Sequence, residues 1–194
     1  VYDGSSAATS TLTLSGFVGS ETVTSTNTST FNNKNAGTGK TVTVNSITLA
    51  DGTNGGLAAN YSINTGQTTT ANVTAKALMV SGITASNKVY DSTTNATTVL
   101  SFSGLIGSET INNTNSSTFD NKNIGTGKTV TVNSLTLVDG SNGGLASNYS
   151  ISSGQTTTAN VSARPLTVSN ISASNKSYDG TKAVTLDTSN VSYN

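Results

Sequence analysis

The sequence predicts an all-β protein built from tandem repeats, and three observations support this. Residues 1–88 align with residues 89–176 without a gap, and 60 of the 88 positions are identical. Short segments alternate apolar and polar residues with the period of a strand, and turn-forming residues separate them. No segment has the spacing of an amphipathic helix. We therefore expect Ig-like β-sandwich repeats of about 88 residues, with β-grasp-like units as the alternative.

The repeat sets the expected domains. Residues 1–76 are a first repeat that lacks its N-terminal strand, 77–164 a complete second repeat, and 165–194 the start of a third. Because the chain begins in mid-motif, we expect it to be a segment of a longer array. No Gly/Ser-rich or Pro-rich linker separates the units, and the only proline is Pro165. Neighbouring repeats should therefore be joined by a short, fairly stiff connection.

The first unit opens on a strand end that enters a turn. We expect the Tyr2 side chain to pack in the protein, the Asp3 side chain to hydrogen-bond to nearby backbone, and Gly4 to adopt a backbone conformation that is strained for other residues. Turn formers dominate 32–39 and 51–56, and Phe31 anchors the strand before the first of these clusters. In order, we expect strands at 11–15, 21–24, 40–45, 61–63 and 70–75, and an exposed strand or loop at 25–30.

The alternation changes phase in the middle of the unit. Val42 and Val44 occupy even positions, whereas Ile47 and Leu49 occupy odd ones. A β-bulge near 45–46 absorbs one residue and keeps both pairs on the core side. The sequence therefore predicts a bulge here.

Composition argues against several classes of function. The chain has 9 basic and 9 acidic residues, and no basic cluster that could bind nucleic acid or anionic lipid. The longest apolar run, 77–80, is far too short to span a bilayer. There is no His and no Cys, so the commonest catalytic base and the thiol nucleophile are both missing. We expect no enzyme activity, no cofactor, no nucleic-acid partner and no membrane insertion.

Four motifs resemble the YDG repeat of very large bacterial surface proteins. They are Lys88-Val89-Tyr90-Asp91, the segment 117–130 around Phe119, the segment 145–151 that contains Tyr149, and the segment 159–168. Across the chain, the motif positions are Tyr2, Asp3, Gly4, Phe31, Tyr61, Tyr90, Asp91, Phe119, Tyr149, Tyr178, Asp179 and Gly180. Ser92 departs from the motif, which has Gly at this position.

The resemblance implies a role outside the cell. Such repeats accompany filamentous-haemagglutinin-like secreted adhesins, so it implies a stalk or fibre at the bacterial cell surface that serves adhesion or biofilm attachment. The implied partners are neighbouring repeats of the same chain. It supplies no catalytic site.

Two kinds of ligand remain open. Asp51 and Asp139 each start a turn cluster that could begin a calcium loop, but calcium takes about six to eight oxygens. One Asp per turn is too few, so both are weak candidates. Tyr61 and Tyr149, with Tyr2, Tyr90 and Tyr178, could form a platform for host or bacterial glycans that gains by multivalency. Core positions for these tyrosines are the alternative.

The repeat boundaries suggest a third function. The first unit lacks the strand that corresponds to 78–83, while Leu166, Val168 and Ile171 near the C-terminus belong to a spare copy of it. One subunit could lend this strand to an identical neighbour, which would build a self-assembling extracellular filament.

Overall fold

The computed structural model describes residues 1–193. These residues contain no α-helix and only two short 3-10 turns, Ala58–Asn60 and Ala146–Asn148. Strands and the turns between them make up the rest of the regular structure. The all-β prediction is therefore confirmed.

The first repeat contains a four-stranded antiparallel sheet. Its strands, adjacent in chain order, are Ala7–Ala8 (β1), Val23–Phe31 (β2), Gly37–Asp51 (β3) and Thr68–Val73 (β4). Residues 23–30 of the segments predicted separately at 21–24 and 25–30 belong to the single strand β2, and residues 21–22 lie before it. The long β2–β3 hairpin, whose residues alternate between the two faces, is the framework of the repeat.

The second repeat contains the same framework and additional strands around it. Its strands are Lys76–Ala77 (β5), Met79–Ala85 (β6), Lys88–Val89 (β7), Asn95–Ala96 (β8), Thr98–Ser103 (β9), Ile111–Phe119 (β10), Gly125–Asp139 (β11), Tyr149–Ser150 (β12) and Thr156–Ser162 (β13). Five of them form a sheet in the order β7-β13-β11-β10-β8. In addition, β6 pairs antiparallel with β9, and β5 pairs parallel with β12.

The C-terminal segment forms two small ladders. Val168–Ser169 (β14) pairs with Ser192–Tyr193 (β17), and Ser172–Ala173 (β15) pairs with Leu186–Asp187 (β16). Both pairings are antiparallel and only two residues long.

The predicted bulge lies where the sequence places it. In the β2–β3 pair, Thr28 faces Ser46 but the next residue, Ser29, faces Val44, so Asn45 is the extra residue. The register shifts at the equivalent place in the second repeat, and there Asn133 is the extra residue. The bulge keeps the valines before it on the buried face.

The core of the second repeat lies between its sheet and β6. Phe119, Val130, Ala159 and Val161 form a buried cluster, and Ala85 of β6 packs against it. Strand β6 is also tied to β13, because the Thr157 hydroxyl donates to the Ile83 carbonyl oxygen over 3.5 Å.

Two predicted strands do not form in the first repeat, and that part of the prediction is wrong. Residues 11–15 and 61–63 are not in strands, whereas their counterparts in the second repeat belong to β9 and β12. In the second repeat, β9 and β12 pair with β6 and β5, whereas residues 11–15 and 61–63 have no such ladder within residues 1–193. Alternation specifies a strand's faces, but a strand also needs a neighbour to satisfy its backbone.

Candidate functional site: the junction between repeats

The two repeats meet at a buried carboxylate, Glu109. Its Oε1 accepts hydrogen bonds from the Tyr2 hydroxyl at 2.6 Å and from Lys34 Nζ at 2.9 Å. Its Oε2 accepts one from the Tyr149 hydroxyl at 2.7 Å. Glu109 and Tyr149 belong to the second repeat, and Tyr2 and Lys34 to the first, so one carboxylate links both units.

Both tyrosines of the junction are held in place by backbone contacts. The Tyr2 N–H donates to the Thr74 carbonyl oxygen at 2.8 Å, which anchors the start of the chain to the end of its own repeat. The Tyr149 hydroxyl accepts from the Ile106 N–H at 3.0 Å. The two rings meet edge to face with centroids 5.5 Å apart. This arrangement is favourable for aromatic pairs and orients both hydroxyls towards the carboxylate.

A second polar contact involves Asn148, which is completely buried. Its Oδ1 accepts from the Ala36 N–H at 2.8 Å, and its Nδ2 donates to Asn35 Oδ1 at 3.2 Å. Asn35 and Ala36 lie in the loop between β2 and β3 of the first repeat. The second repeat therefore binds both the beginning of the first repeat and its hairpin loop.

Apolar contacts close the junction. Tyr2, Leu78, Ile111 and Tyr149 form one buried cluster. Gly4 lies against Ile106, and a Cβ at Gly4 would be 2.7 Å from Ile106 Cγ2. Gly4 also has a φ of +83°, which favours glycine. Backbone conformation and close approach both require glycine at this position.

The charges of the junction stabilise each other. Burial tends to raise the pKa of Glu109, but hydrogen bonds from Tyr2, Lys34 and Tyr149 outweigh it and hold the pKa below its usual 4.5. Burial, together with the bond to Glu109, raises the pKa of Tyr149 to about 12. The same two causes raise the pKa of Tyr2. Glu109 therefore stays ionised, and its tyrosine donors neutral, over a wide pH range.

The three copies of the Tyr-Asp motif differ in exposure but share one turn. Tyr2 is buried, Tyr90 is partly buried against the Phe119 cluster, and Tyr178 is almost fully exposed. The aspartates hold the turn: Asp3 Oδ1 accepts from the Ser5 N–H, Asp91 Oδ1 from the Thr93 N–H, and Asp179 Oδ1 from the Thr181 N–H, each within 2.9 Å. The predicted turn is confirmed, and a strand ends at the motif in the second copy, where β7 precedes Tyr90.

The third motif position is left-handed in every copy. Gly4, Ser92 and Gly180 have φ values of +83°, +66° and +72°. Ser92 therefore adopts the glycine conformation and does not change the turn.

The weak calcium candidates hold the 3-10 turns. Asp51 Oδ1 accepts from the Ala58 N–H and Asp139 Oδ1 from the Ala146 N–H, both at 2.7 Å. Within residues 1–193, no three or more carboxylate, His or Cys side chains form a group that could hold a metal. Calcium binding at these positions remains a prediction.

The tyrosines proposed for glycans divide into two groups. Tyr2 and Tyr149 are buried in the junction, where their faces are not accessible. Tyr61, the copy of Tyr149, is partly exposed, donates to Glu21 Oε2 at 2.6 Å and packs edge to face on Phe17. The core alternative therefore applies to Tyr2 and Tyr149.

Sequence reasoning missed Glu109, Lys34 and Asn148 as junction residues. The chain has only two glutamates, Glu21 and Glu109, and they occur at equivalent positions of the two repeats. The repetition of the only two glutamates at the same position of each repeat could have marked Glu109 as a candidate. Its partner Tyr2 lies 107 positions away, however, and local patterns do not reveal such contacts.

These features define an all-β repeat protein whose units join through a buried tyrosine–glutamate junction. A family profile described as the YDG domain matches residues 1–71 and 74–159, and the chain belongs to the YDG domain family. No curated protein and no solved structure matched the chain. No helix within residues 1–193 is long and apolar enough to cross a membrane.

Proposed function

We propose that this chain is a structural repeat segment of an extracellular bacterial adhesin stalk or surface fibre, which serves cell-surface adhesion or biofilm attachment. One observation supports the proposal above all: consecutive repeats are locked by a buried carboxylate, two tyrosines and a lysine. Repeats joined in this way resist bending at the joint. A stalk needs this property to hold a binding tip away from the cell.

Each repeat acts as an Ig-like sandwich in this proposal. The packing of β6 and β9 over the five-stranded sheet of the second repeat supports two layers with a core between them. Such units are common building blocks of extracellular rods, and their ends are available for contacts with the next unit.

The stiffness of an array tests the mechanical part of the proposal. Arrays of two, four and eight copies of residues 77–164 should have maximum dimensions, measured by small-angle scattering, that grow in proportion to the number of copies. The same arrays with Glu109→Gln in every copy are the control and should be shorter and more variable. A maximum dimension that grows as the square root of the copy number would show flexible linkage and overturn the proposal.

Antibody labelling tests the proposed location. Intact cells that make the protein should be labelled as strongly as permeabilised cells. Labelling only after permeabilisation would place the chain inside the cell and exclude a surface stalk.

A self-assembling filament is the second candidate function. The observation that favours it is the exposure of Leu166, which is 68% exposed, whereas its counterpart Leu78 is 6% exposed in the core of the second repeat.

A further inference from the structure

We propose that the second repeat carries tension through a shear clamp, which is the parallel ladder between β7 and β13. The clamp joins the segment by which the chain enters the repeat to the strand by which it leaves. The proposal rests on the proposed function, because a stalk is pulled along its length when the cell that it holds is displaced. It adds resistance to force as a function of particular strands.

The parallel ladders of the protein lie where the chain enters and leaves the second repeat. Most strand pairs are antiparallel, including the long hairpins β2–β3 and β10–β11. Within residues 1–193, parallel pairing occurs only between β7 and β13 and between β5 and β12. Strands β5 and β7 belong to the entering segment, β13 is the leaving strand, and β12 directly precedes it. The parallel ladders therefore connect the two parts of the repeat on which its neighbours pull.

Strand direction decides how such a ladder meets a pulling force. Tension along the chain pulls β7 towards its N-terminal end and β13 towards its C-terminal end. Because the two strands are parallel, these pulls slide one strand along the other, and the hydrogen bonds that cross between them take the load together. If the entering and leaving strands were antiparallel, both pulled ends would lie at the same side, and the bonds would open one at a time.

The ladder is formed by backbone hydrogen bonds. Residues 88–89 lie opposite residues 161–162. The Tyr90 N–H donates to the Ser162 carbonyl oxygen at 2.9 Å and extends the ladder by one residue. The N–H and C=O of one strand residue point to the same side, so the Ser162 N–H also faces β7.

Further contacts show that the clamp is a feature of the repeat unit. At the N-terminal end of the ladder, the Asn160 N–H donates to Asn87 Oδ1 at 2.7 Å. In the first repeat, the Tyr2 N–H donates to the Thr74 carbonyl oxygen at 2.8 Å, as Tyr90 does to Ser162. The bond at the Tyr-Asp motif is thus made in both repeats.

The Lys88 side chain spreads the load from β7 into the rest of the sheet. Strands β7 and β8 lie at opposite edges of the five-stranded sheet. Lys88 Nζ joins them, because it donates to the Asn95 carbonyl oxygen of β8 at 3.0 Å. It also donates to Asp91 Oδ1 and to the Thr93 carbonyl oxygen, both at 2.8 Å, and lies 5.5 Å from the centre of the Phe119 ring. Strand β8 in turn pairs with β10 of the long hairpin.

Strand β13 is fixed by the core as well as by hydrogen bonds. Ala159 and Val161 belong to the buried cluster that contains Phe119 and Val130. Sliding of β13 along β7 therefore also draws apolar side chains out of their packing and towards water, which is unfavourable.

Single-molecule force spectroscopy with two attachment geometries tests the clamp. The chain has no cysteine, so two introduced cysteines coupled to handles set the points at which the force acts. Ser86, Thr158 and Ala163 are exposed and suit this purpose. S86C/A163C pulls β7 and β13 from opposite ends of the ladder and loads it in shear. S86C/T158C is the matched control, because it pulls both strands from the same end.

The shear geometry should be the stronger one. We expect S86C/A163C to rupture at about twice the force of S86C/T158C or more, because forced unfolding follows the barrier, and in shear this barrier includes the loss of all the bonds together.

A variant of β13 tests the hydrogen bonds themselves. In the S86C/A163C protein, Ser162→Pro removes the N–H that faces β7 and should lower the rupture force towards that of the control geometry. Ser162→Ala retains this N–H and should leave the rupture force unchanged. Thermal unfolding of both variants shows whether they fold. The comparison of the two geometries keeps Ser162 in place and decides the proposal without this variant.

Equal rupture forces in the two geometries would overturn the clamp. For folded variants, equal rupture forces of Ser162→Pro and Ser162→Ala would do the same. Neither result affects the stalk function, which depends on the relative orientation of the repeats at the Glu109 junction. Conversely, independent motion of the two repeats would contradict the stalk function, whatever the rupture forces.

Discussion

At the scale of single residues, the junction depends on a carboxylate that is removed from water and given three protein donors instead. An unpaired buried carboxylate is strongly unfavourable, so Glu109 is stable there only while Tyr2, Lys34 and Tyr149 remain in place. The dependence works in both directions, because the tyrosine hydroxyls are buried too and need an acceptor. The repeats therefore separate only if several hydrogen bonds break together.

Replacing Glu109 with Gln should weaken the junction strongly. The amide nitrogen of Gln cannot accept a hydrogen bond, so the variant loses either the bond from Tyr149 or the bonds from Tyr2 and Lys34, and it also loses the charge that pairs with Lys34. We therefore expect a loss of about 2–4 kcal/mol in the free energy of unfolding. Glu21→Gln removes the equivalent carboxylate from the end of the first repeat and should cost less than about 1 kcal/mol. Urea unfolding followed by circular dichroism measures both, and equal losses would exclude a special role for Glu109.

The junction should also respond to pH. The pKa of Glu109 is lower in the folded protein, so its contribution is fully present above its usual pKa of 4.5 and is lost as the pH falls through the lowered value. The pKa of Tyr149 is raised from 10.0 to about 12, so its contribution is present below pH 10 and is lost as the pH rises towards 12. The free energy of unfolding of the wild type and of Glu109→Gln, measured as a function of pH, checks both the acid and the alkaline loss of stability. An identical acid dependence in the two proteins would contradict the assignment.

Ser92 offers a third test at this scale. Its φ of +66° strains a residue with a side chain, whereas glycine adopts this conformation freely. Ser92→Gly should therefore stabilise the protein by roughly 0.5–1 kcal/mol after the larger entropy loss of glycine is deducted. Gly4→Ser is the reverse control and should destabilise, because it adds strain and a clash with Ile106. Thermal unfolding measures both, and a lower melting temperature for Ser92→Gly would contradict the account.

At the scale of elements, the bulges at Asn45 and Asn133 set which face of the long hairpins is buried. Val130 and Val132 are completely buried on one side of the bulge, and Leu135 and Leu137 follow it on the same face. A strand alternates its faces strictly, so one residue more or less would turn half of the strand around.

Deletion of Asn133 should therefore cost far more than its replacement. Without the extra residue, Val130 and Val132 would face solvent, and we expect a loss of about 3–5 kcal/mol from their exposure. Asn133→Ala keeps the residue count and should cost about 1 kcal/mol or less, since it removes one exposed bond to Thr118. Circular dichroism during thermal unfolding compares the two, and similar stabilities would show that the bulge does not set the register.

The same elements show what the sequence could predict. The bulge followed from four residues, Val42, Val44, Ile47 and Leu49, because side-chain alternation is a local property. The strand expected at 11–15 does not form within residues 1–193, because a strand needs a pairing partner, and its counterpart β9 has one in β6. The junction depends on contacts between residues more than 100 positions apart, and neither alternation nor turn chemistry contains that information.

At the scale of the whole molecule, the central claim is that two repeats joined at Glu109 behave as one rigid rod. Residual dipolar couplings of backbone N–H groups measure the relative orientation of the repeats in solution most directly. The account predicts that couplings from residues 23–73 and 111–162 fit a single alignment tensor, and that Glu109→Gln separates them into two. Two tensors of different magnitude in the wild-type protein would mean that the repeats move independently, which would contradict the rigid-rod account.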